Sequence, residues 1–238
     1  MRTSRFGVVS LLATVLLAAC GQATSSDLGS QPAAHTQTTK LDYSGLHRVF
    51  DKPRLSDGRP LTLFVGGQFC PFCASMRWPL VKALSRFGSF SGLGQMQSQR
   101  GTDGFASIAT YDFAQATYAS DLLTVHLVEV ADANGSPLQQ PSDDDMDLVN
   151  RFDPNGSIPF VIIAGTYVAQ LPYSPQLLVG QTFQQIRGAA NAANPGDVGT
   201  AIDKEADAIT AAICKVDGGM PGNICQTPAM QALVDRMP

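Results

Sequence analysis

Residues 61–88 read LTLFVGGQFCPFCASMRWPLVKALSRFG. Leu61 to Gly67 is a short apolar run closed by two glycines, the pattern of a buried strand. Beyond it, Met76, Leu80, Leu84 and Phe87 return at helical spacing. Cys70-Pro71-Phe72-Cys73 therefore falls where a strand hands over to a helix. Free backbone N–H groups and the positive end of the helix dipole stabilise an anion there, which suits Cys70 to be a thiolate. It would attack a substrate disulfide, and Cys73 would resolve the mixed disulfide. Pro79 lies inside the helix, where it removes a hydrogen bond and predicts a kink.

Working outward, Gly88 to Gly104 is rich in Gly, Ser and Gln and reads as an exposed connection. Strands are predicted around Phe105 to Ala109 and over Leu122 to Val130. His126, on the second of these, reads as a partly buried, hydrogen-bonded side chain rather than a catalytic one. Ser142-Asp143-Asp144-Asp145 before Met146, Leu148 and Val149 reads as a helix start, with carboxylates capping free N–H groups; the calcium-loop pattern of Gly and a distant Glu is missing. Asp153-Pro154-Asn155-Gly156 is a turn signal. Ser157-Ile158-Pro159 then leads into the apolar strand Phe160 to Ile163, with Thr166 to Ala169 as its hairpin partner. Helices follow over Thr182 to Ala193, from about Val198 to the glycines at 218 and 219, and as a short element in Thr227 to Met237.

The strand, the CPFC, the proline-bearing helix and the later Ile158-Pro159 strand entry resemble the thioredoxin fold. The expectation is an α/β, thioredoxin-like fold: a central mixed sheet flanked by helices, with a helical insertion and C-terminal helices. More narrowly, GGQFCPFCASMRWPLVKALSRFG, ATYASDLLTVHLVEV and the Cys214 to Cys225 tail are similar to the thioredoxin-like family called domain of unknown function 929, over roughly Leu41 to Cys225. The resemblance implies Cys70 and Cys73 as catalytic residues. It also implies a cis Pro159 opposite them, with Ile158, Pro159, Pro71 and Phe72 meeting an extended substrate. The chain departs from thioredoxins in three ways. No acid lies within Leu61 to Gly67, Phe69 stands where they have tryptophan, and Pro79 comes one residue late. Proton handling during resolution must then differ. The Pro71-Phe72 dipeptide is closer to those of glutaredoxins and extracytoplasmic oxidases, which implies a mildly oxidising couple of roughly −230 to −120 mV.

The chain has 238 residues, 44% of them hydrophobic and 15% charged, and a net charge of −4, enough apolar material for one sizeable core. No cluster of Lys or Arg offers nucleic acid an electrostatic footprint, so no nucleic-acid partner is expected. Arg2 and Arg5 precede an uncharged run from Gly7 to Ala19, too short to span a bilayer but suited to a secretory signal. Leu17-Ala18-Ala19-Cys20 resembles the lipobox of bacterial lipoproteins, with Cys20 as the lipidated residue. The expected organisation is a signal peptide at 1–19, a flexible polar tether at 20–40 that holds a solvated His35, and a thioredoxin-like domain at 41–238. The protein would be extracytoplasmic, lipid-anchored to the cell membrane of a bacterium.

The five cysteines then divide into Cys20 for lipid, Cys70 with Cys73 for exchange, and Cys214 with Cys225 as a structural disulfide, the alternative for that last pair being a second redox couple. Their spacing disfavours a zinc knuckle, and no cofactor or metal is expected. The leading function is a thiol-disulfide oxidoreductase whose partners are protein thiols or disulfides and an unidentified recycling protein. The alternatives are a non-catalytic binding module on the same scaffold, and a copper-handling lipoprotein using Cys70, Cys73 and His126.

Overall fold

The computed structural model describes residues 45–99, 106–169 and 173–237. The expected signal, Cys20, the tether with His35, and Phe105 lie outside these residues.

The sheet is built on β3 (Arg59–Gly66). It pairs in parallel with β8 (Thr124–Glu129) and antiparallel with β9 (Phe160–Ile163), which continues into β10 (Tyr167–Ala169) and β1 (Leu46–Arg48). The short β2 (Leu55–Ser56) turns back antiparallel onto the start of β3. The result is a mixed α/β architecture, a six-stranded mixed sheet flanked by helices. Along β3, Leu61, Leu63 and Val65 face a cluster with Phe160 and Ile162 and with Leu148 and Val149 of α2 (Asp143–Phe152). Phe64 faces the opposite cluster, with Met76, Leu80 and Leu84 of α1 (Pro71–Leu84) and Ile209 and Ile213 of α4 (Gly196–Val216). Helices on both sides explain why β3 reads as a continuous apolar run rather than an alternating one.

Register brings the important residues to one end of the sheet. Val65 pairs with Phe160 in the antiparallel sense, so Ile158 and Pro159 arrive beside Gly66 and Gly67, where the chain leaves the sheet for α1. In the parallel pair, Gly66 lies opposite Glu129. The Ile158–Pro159 peptide bond is cis.

The connection expected over Gly88 to Gly104 is instead partly strand. β4 (Ser89–Ser91) pairs with β7 (Thr117–Ala119), and β5 (Gly94–Gln97) pairs with β6 (Ala109–Asp112). Glycine is a poor strand former alone, and here partners farther along the chain supply the ladder. The addition between α1 and β8 is thus made of two-stranded ribbons. The helical addition falls after β10, where a 3-10 turn (Pro175–Leu178) and α3 (Phe183–Ala190) precede α4. Thr182 and Gln185 close α3 with a capping box. After α4 come the one-turn α5 (Gly222–Cys225) and α6 (Pro228–Val234), and a disulfide joins Cys214 to Cys225 with Cα atoms 5.4 Å apart.

Pro79 leaves α1 as one continuous helix. Proline offers no N–H to the carbonyl four residues back, which is that of Ser75. The Tyr173 hydroxyl donates to that carbonyl instead, at 2.8 Å. Neighbouring bonds fasten the helix further: the Thr110 hydroxyl donates to Ala74 O at 2.7 Å, and the Trp78 indole N–H to Ala109 O at 3.0 Å. Trp78, Tyr111 and Phe183 meet around this point with ring centroids 4.6 to 5.0 Å apart.

Candidate redox site

Cys70 is the N-cap of α1. Its sulfur accepts the backbone N–H of Cys73 at 3.2 Å, the place that a Ser or Asp oxygen fills at most helix starts. Pro71 at the first helical position lacks only an N–H that the helix would have left unused. Both cysteines are free thiols, Cys70 5% exposed and Cys73 fully buried, so only Cys70 can meet a substrate first. Hydrogen bonding from the Cys73 thiol holds the Cys70 pKa below its usual value, and the backbone N–H groups of Cys73 and Phe72 and the charge of Arg77 help against the opposing effect of burial. Burial pushes Cys73 well above the ordinary thiol range, and donating to a neighbouring thiolate pushes it further. The two thiols are therefore set apart in the sense that nucleophilic attack followed by resolution requires.

Ile158 reaches the site as its sequence position implies: its carbonyl accepts from the Cys70 sulfur at 3.8 Å. Glycines make room for this approach. A Cβ on Gly67 would come within 2.7 Å of the Phe69 ring and 3.2 Å of Ile158, and one on Gly66 within 2.4 Å of the Phe64 ring and 3.2 Å of the Cys73 sulfur. Two open cavities lie near by. One of about 420 Å³ is lined by Phe69, Gln99, Ala133, Asn134 and Gly135, and one of about 430 Å³ runs from Phe152 past Ile158 and Pro159 to Val168.

Residues 47–150 match the family model described as a domain of unknown function, DUF929. The DUF929 match takes in β3, the CPFC, α1 and β8, and stops before Pro159, Cys214 and Cys225, so it is shorter than the span expected from the sequence. No curated protein and no solved structure matches the chain.

Within the DUF929 segment, two buried charged residues beside the cysteines were not singled out from the sequence. Arg77 and Glu129 form an ion pair whose side chains are both 0% exposed, with Nε donating to Oε1 at 2.9 Å and Nη2 to Oε2 at 2.8 Å. Burial pushes the Glu129 carboxyl above its ordinary pKa, with Arg77 acting against that shift. No acid lies on the β3 run from Leu61 to Gly67, and the carboxylate nearest its end comes from the adjacent strand, where Glu129 lies opposite Gly66. A signal was present: each is a single charged residue inside an otherwise apolar run, MRWPLV and LVEV, where burial without a partner is costly.

His126 is partly buried and hydrogen-bonded, as expected. Its Nδ1 lies 2.9 and 3.1 Å from the two Asp145 oxygens. The cap of α2 is more specific than expected, because the Ser142 hydroxyl, not a carboxylate, accepts the Asp145 N–H at 3.2 Å. The three-ligand copper arrangement of Cys70, Cys73 and His126 is not formed, since no group of three or more potential ligands gathers among the described residues. No described helix is long and apolar enough to cross a membrane.

Proposed function

We propose that the chain is a thioredoxin-like thiol-disulfide oxidoreductase, exported and held to the membrane surface by lipid on Cys20. The observation that carries this reading is the unequal pair at the start of α1: an N-capping Cys70 with depressed pKa above a buried Cys73 with raised pKa. The sheet order β8-β3-β9-β10, with the CPFC after β3 and Pro159 before β9, is the arrangement a thioredoxin-like fold requires, and it supports the fold assignment.

The reaction follows from the geometry. The Cys70 thiolate attacks one sulfur of a protein disulfide, and the other sulfur leaves as a thiolate. The half-buried Phe72, Ile158 and Pro159 would meet the substrate chain, Ile158 through its backbone, whereas Pro71 is buried in the first turn of α1 and would act by shaping that turn. Cys73 then attacks Cys70, and the second substrate sulfur departs. Run in reverse, the same steps oxidise a dithiol. The Cys214 to Cys225 bond takes no part in this scheme and serves stability.

The test is trapping. Cys73→Ala should accumulate mixed disulfides on Cys70, and Cys70→Ser should lose exchange with a reduced or scrambled test protein. A binding module with an inert CPFC would trap nothing and would be indifferent to Cys70→Ser; that result refutes the oxidoreductase reading. Fatty-acid labelling of wild type, lost in Cys20→Ser, checks the anchor.

A further inference from the structure

We infer that Arg77, clamped by Glu129, is the positioning residue that readies buried Cys73 for resolution, and that Glu129 is its clamp rather than a proton acceptor. This rests on the redox reading of Cys70 and Cys73.

Cys73 has the harder task of the two thiols. In the mixed disulfide the Cys70 sulfur is bonded to substrate, and Cys73–SH must give up its proton inside an apolar pocket formed with Phe64 and Gly66. Its thiolate then bonds to Cys70 Sγ, the bond from Cys70 to substrate breaks, and the departing substrate sulfur takes the electron pair and a proton. The net change is dithiol plus disulfide to disulfide plus two thiols. Nothing outside the pair and its substrate is oxidised or reduced.

What can favour a negative Cys73 there is a fixed positive charge. The Arg77 guanidinium lies over the edge-to-face pair of Phe64 and Phe113, 5.6 and 5.7 Å from their ring centroids, with no exposure to solvent. Its Nη2 donates to Gly67 O at 3.0 Å, and the same carbonyl accepts the Cys70 N–H at 3.1 Å. Gly67 thus ties the guanidinium to the Cys70 backbone, and the Phe64 ring under the guanidinium also lines the pocket of the Cys73 sulfur. Arg77 Nη1 is buried and finds no hydrogen-bond acceptor among the described residues. Such an orphan donor is costly in a fold and is expected where a charge serves chemistry. Both Glu129 oxygens are taken up by Arg77, and the positive charge that reaches the two sulfurs is that of Arg77. A guanidinium stays charged throughout the working pH range, so this assistance does not itself titrate.

The test is a two-phase reaction of the whole chain with 5,5′-dithiobis(2-nitrobenzoate), in which the first coloured thiolate reports attack by Cys70 and the second reports resolution by Cys73. Losing a neighbouring charge worth a tenfold change in thiolate fraction is partly offset by the higher intrinsic nucleophilicity of a more basic thiol. Arg77→Met should therefore slow the second phase about three- to tenfold at neutral pH and move its pH profile upward, while Arg77→Lys keeps most of the rate. Glu129→Gln should leave the second phase as fast or faster, with the profile moved downward. If Arg77→Met does not fold, the neutral pair Arg77→Met/Glu129→Gln replaces it and should be slow. A wild-type second phase in whichever of these two is used overturns the proposal. Slowing by Glu129→Gln to the level of Arg77→Met also overturns it and makes Glu129 the proton acceptor. Absence of the second phase in wild type would refute the redox reading itself.

Discussion

Glu205 offers a measurement of what the fold tolerates. It lies on the inner side of α4, 8% exposed, and its Oε1 has no hydrogen-bond partner among the described residues. Burial pushes its carboxyl from an ordinary 4.5 up to about 7, with Lys204 acting weakly against the shift. The folded state therefore holds a proton that the unfolded chain releases above pH 4.5. Stability from this group is fully present below about 4.5 and is lost as pH rises through about 7. At 1.36 kcal/mol for each pH unit between the two values, the loss approaches about 3 kcal/mol by pH 8. Glutamine resembles the protonated acid and carries no such dependence. Urea unfolding of wild type and Glu205→Gln at steps from pH 4 to pH 8 should give equal stabilities at the acid end. The variant should then become the more stable one, by up to about 3 kcal/mol, over that window. Parallel curves, or a variant weaker at pH 8, would refute the reasoning.

Two other expectations concern α1 and the C-terminal bridge. Tyr173→Phe removes the donor that satisfies the Ser75 carbonyl, at a cost of about 1 to 2 kcal/mol in chemical unfolding; in a Pro79→Ala background the restored N–H should reduce that cost, and an equal cost in both backgrounds would sink the explanation. Replacing both Cys214 and Cys225 with alanine opens an 11-residue separation and should lower stability by about 3 kcal/mol. It should leave exchange at Cys70 unchanged, and lost exchange in a still-folded variant would make the bridge a redox participant.

Much of the molecule was legible because its signals are local. The glycine-closed run ending at Gly67, the helix start at Ser142 to Asp145, the turn at Asp153 to Gly156 and the apolar face of α4 each lie within a few residues of what they specify. The strands between Gly88 and Gly104 were hidden because their pairing partners, not their own residues, make them strands. The Arg77–Glu129 pair joins residues 52 positions apart, and the Tyr173 bond to Ser75 spans 98. No local pattern carries such distances. The partner of the carbonyl that Pro79 leaves vacant is remote in the same way, a hydroxyl from beyond the sheet.

The N-cap at Cys70 joins two properties that are usually separate. The sulfur proposed as the nucleophile is also the group that caps the first turn of α1, so part of its acidity and the winding of that turn rest on the same hydrogen bonds. Fraying that turn by substitution, denaturant or heat withdraws the N–H groups and raises the thiol toward its solution value. The alkylation rate of Cys70 is therefore an internal gauge of how well the amino end of α1 is wound, readable long before the rest of the protein unfolds.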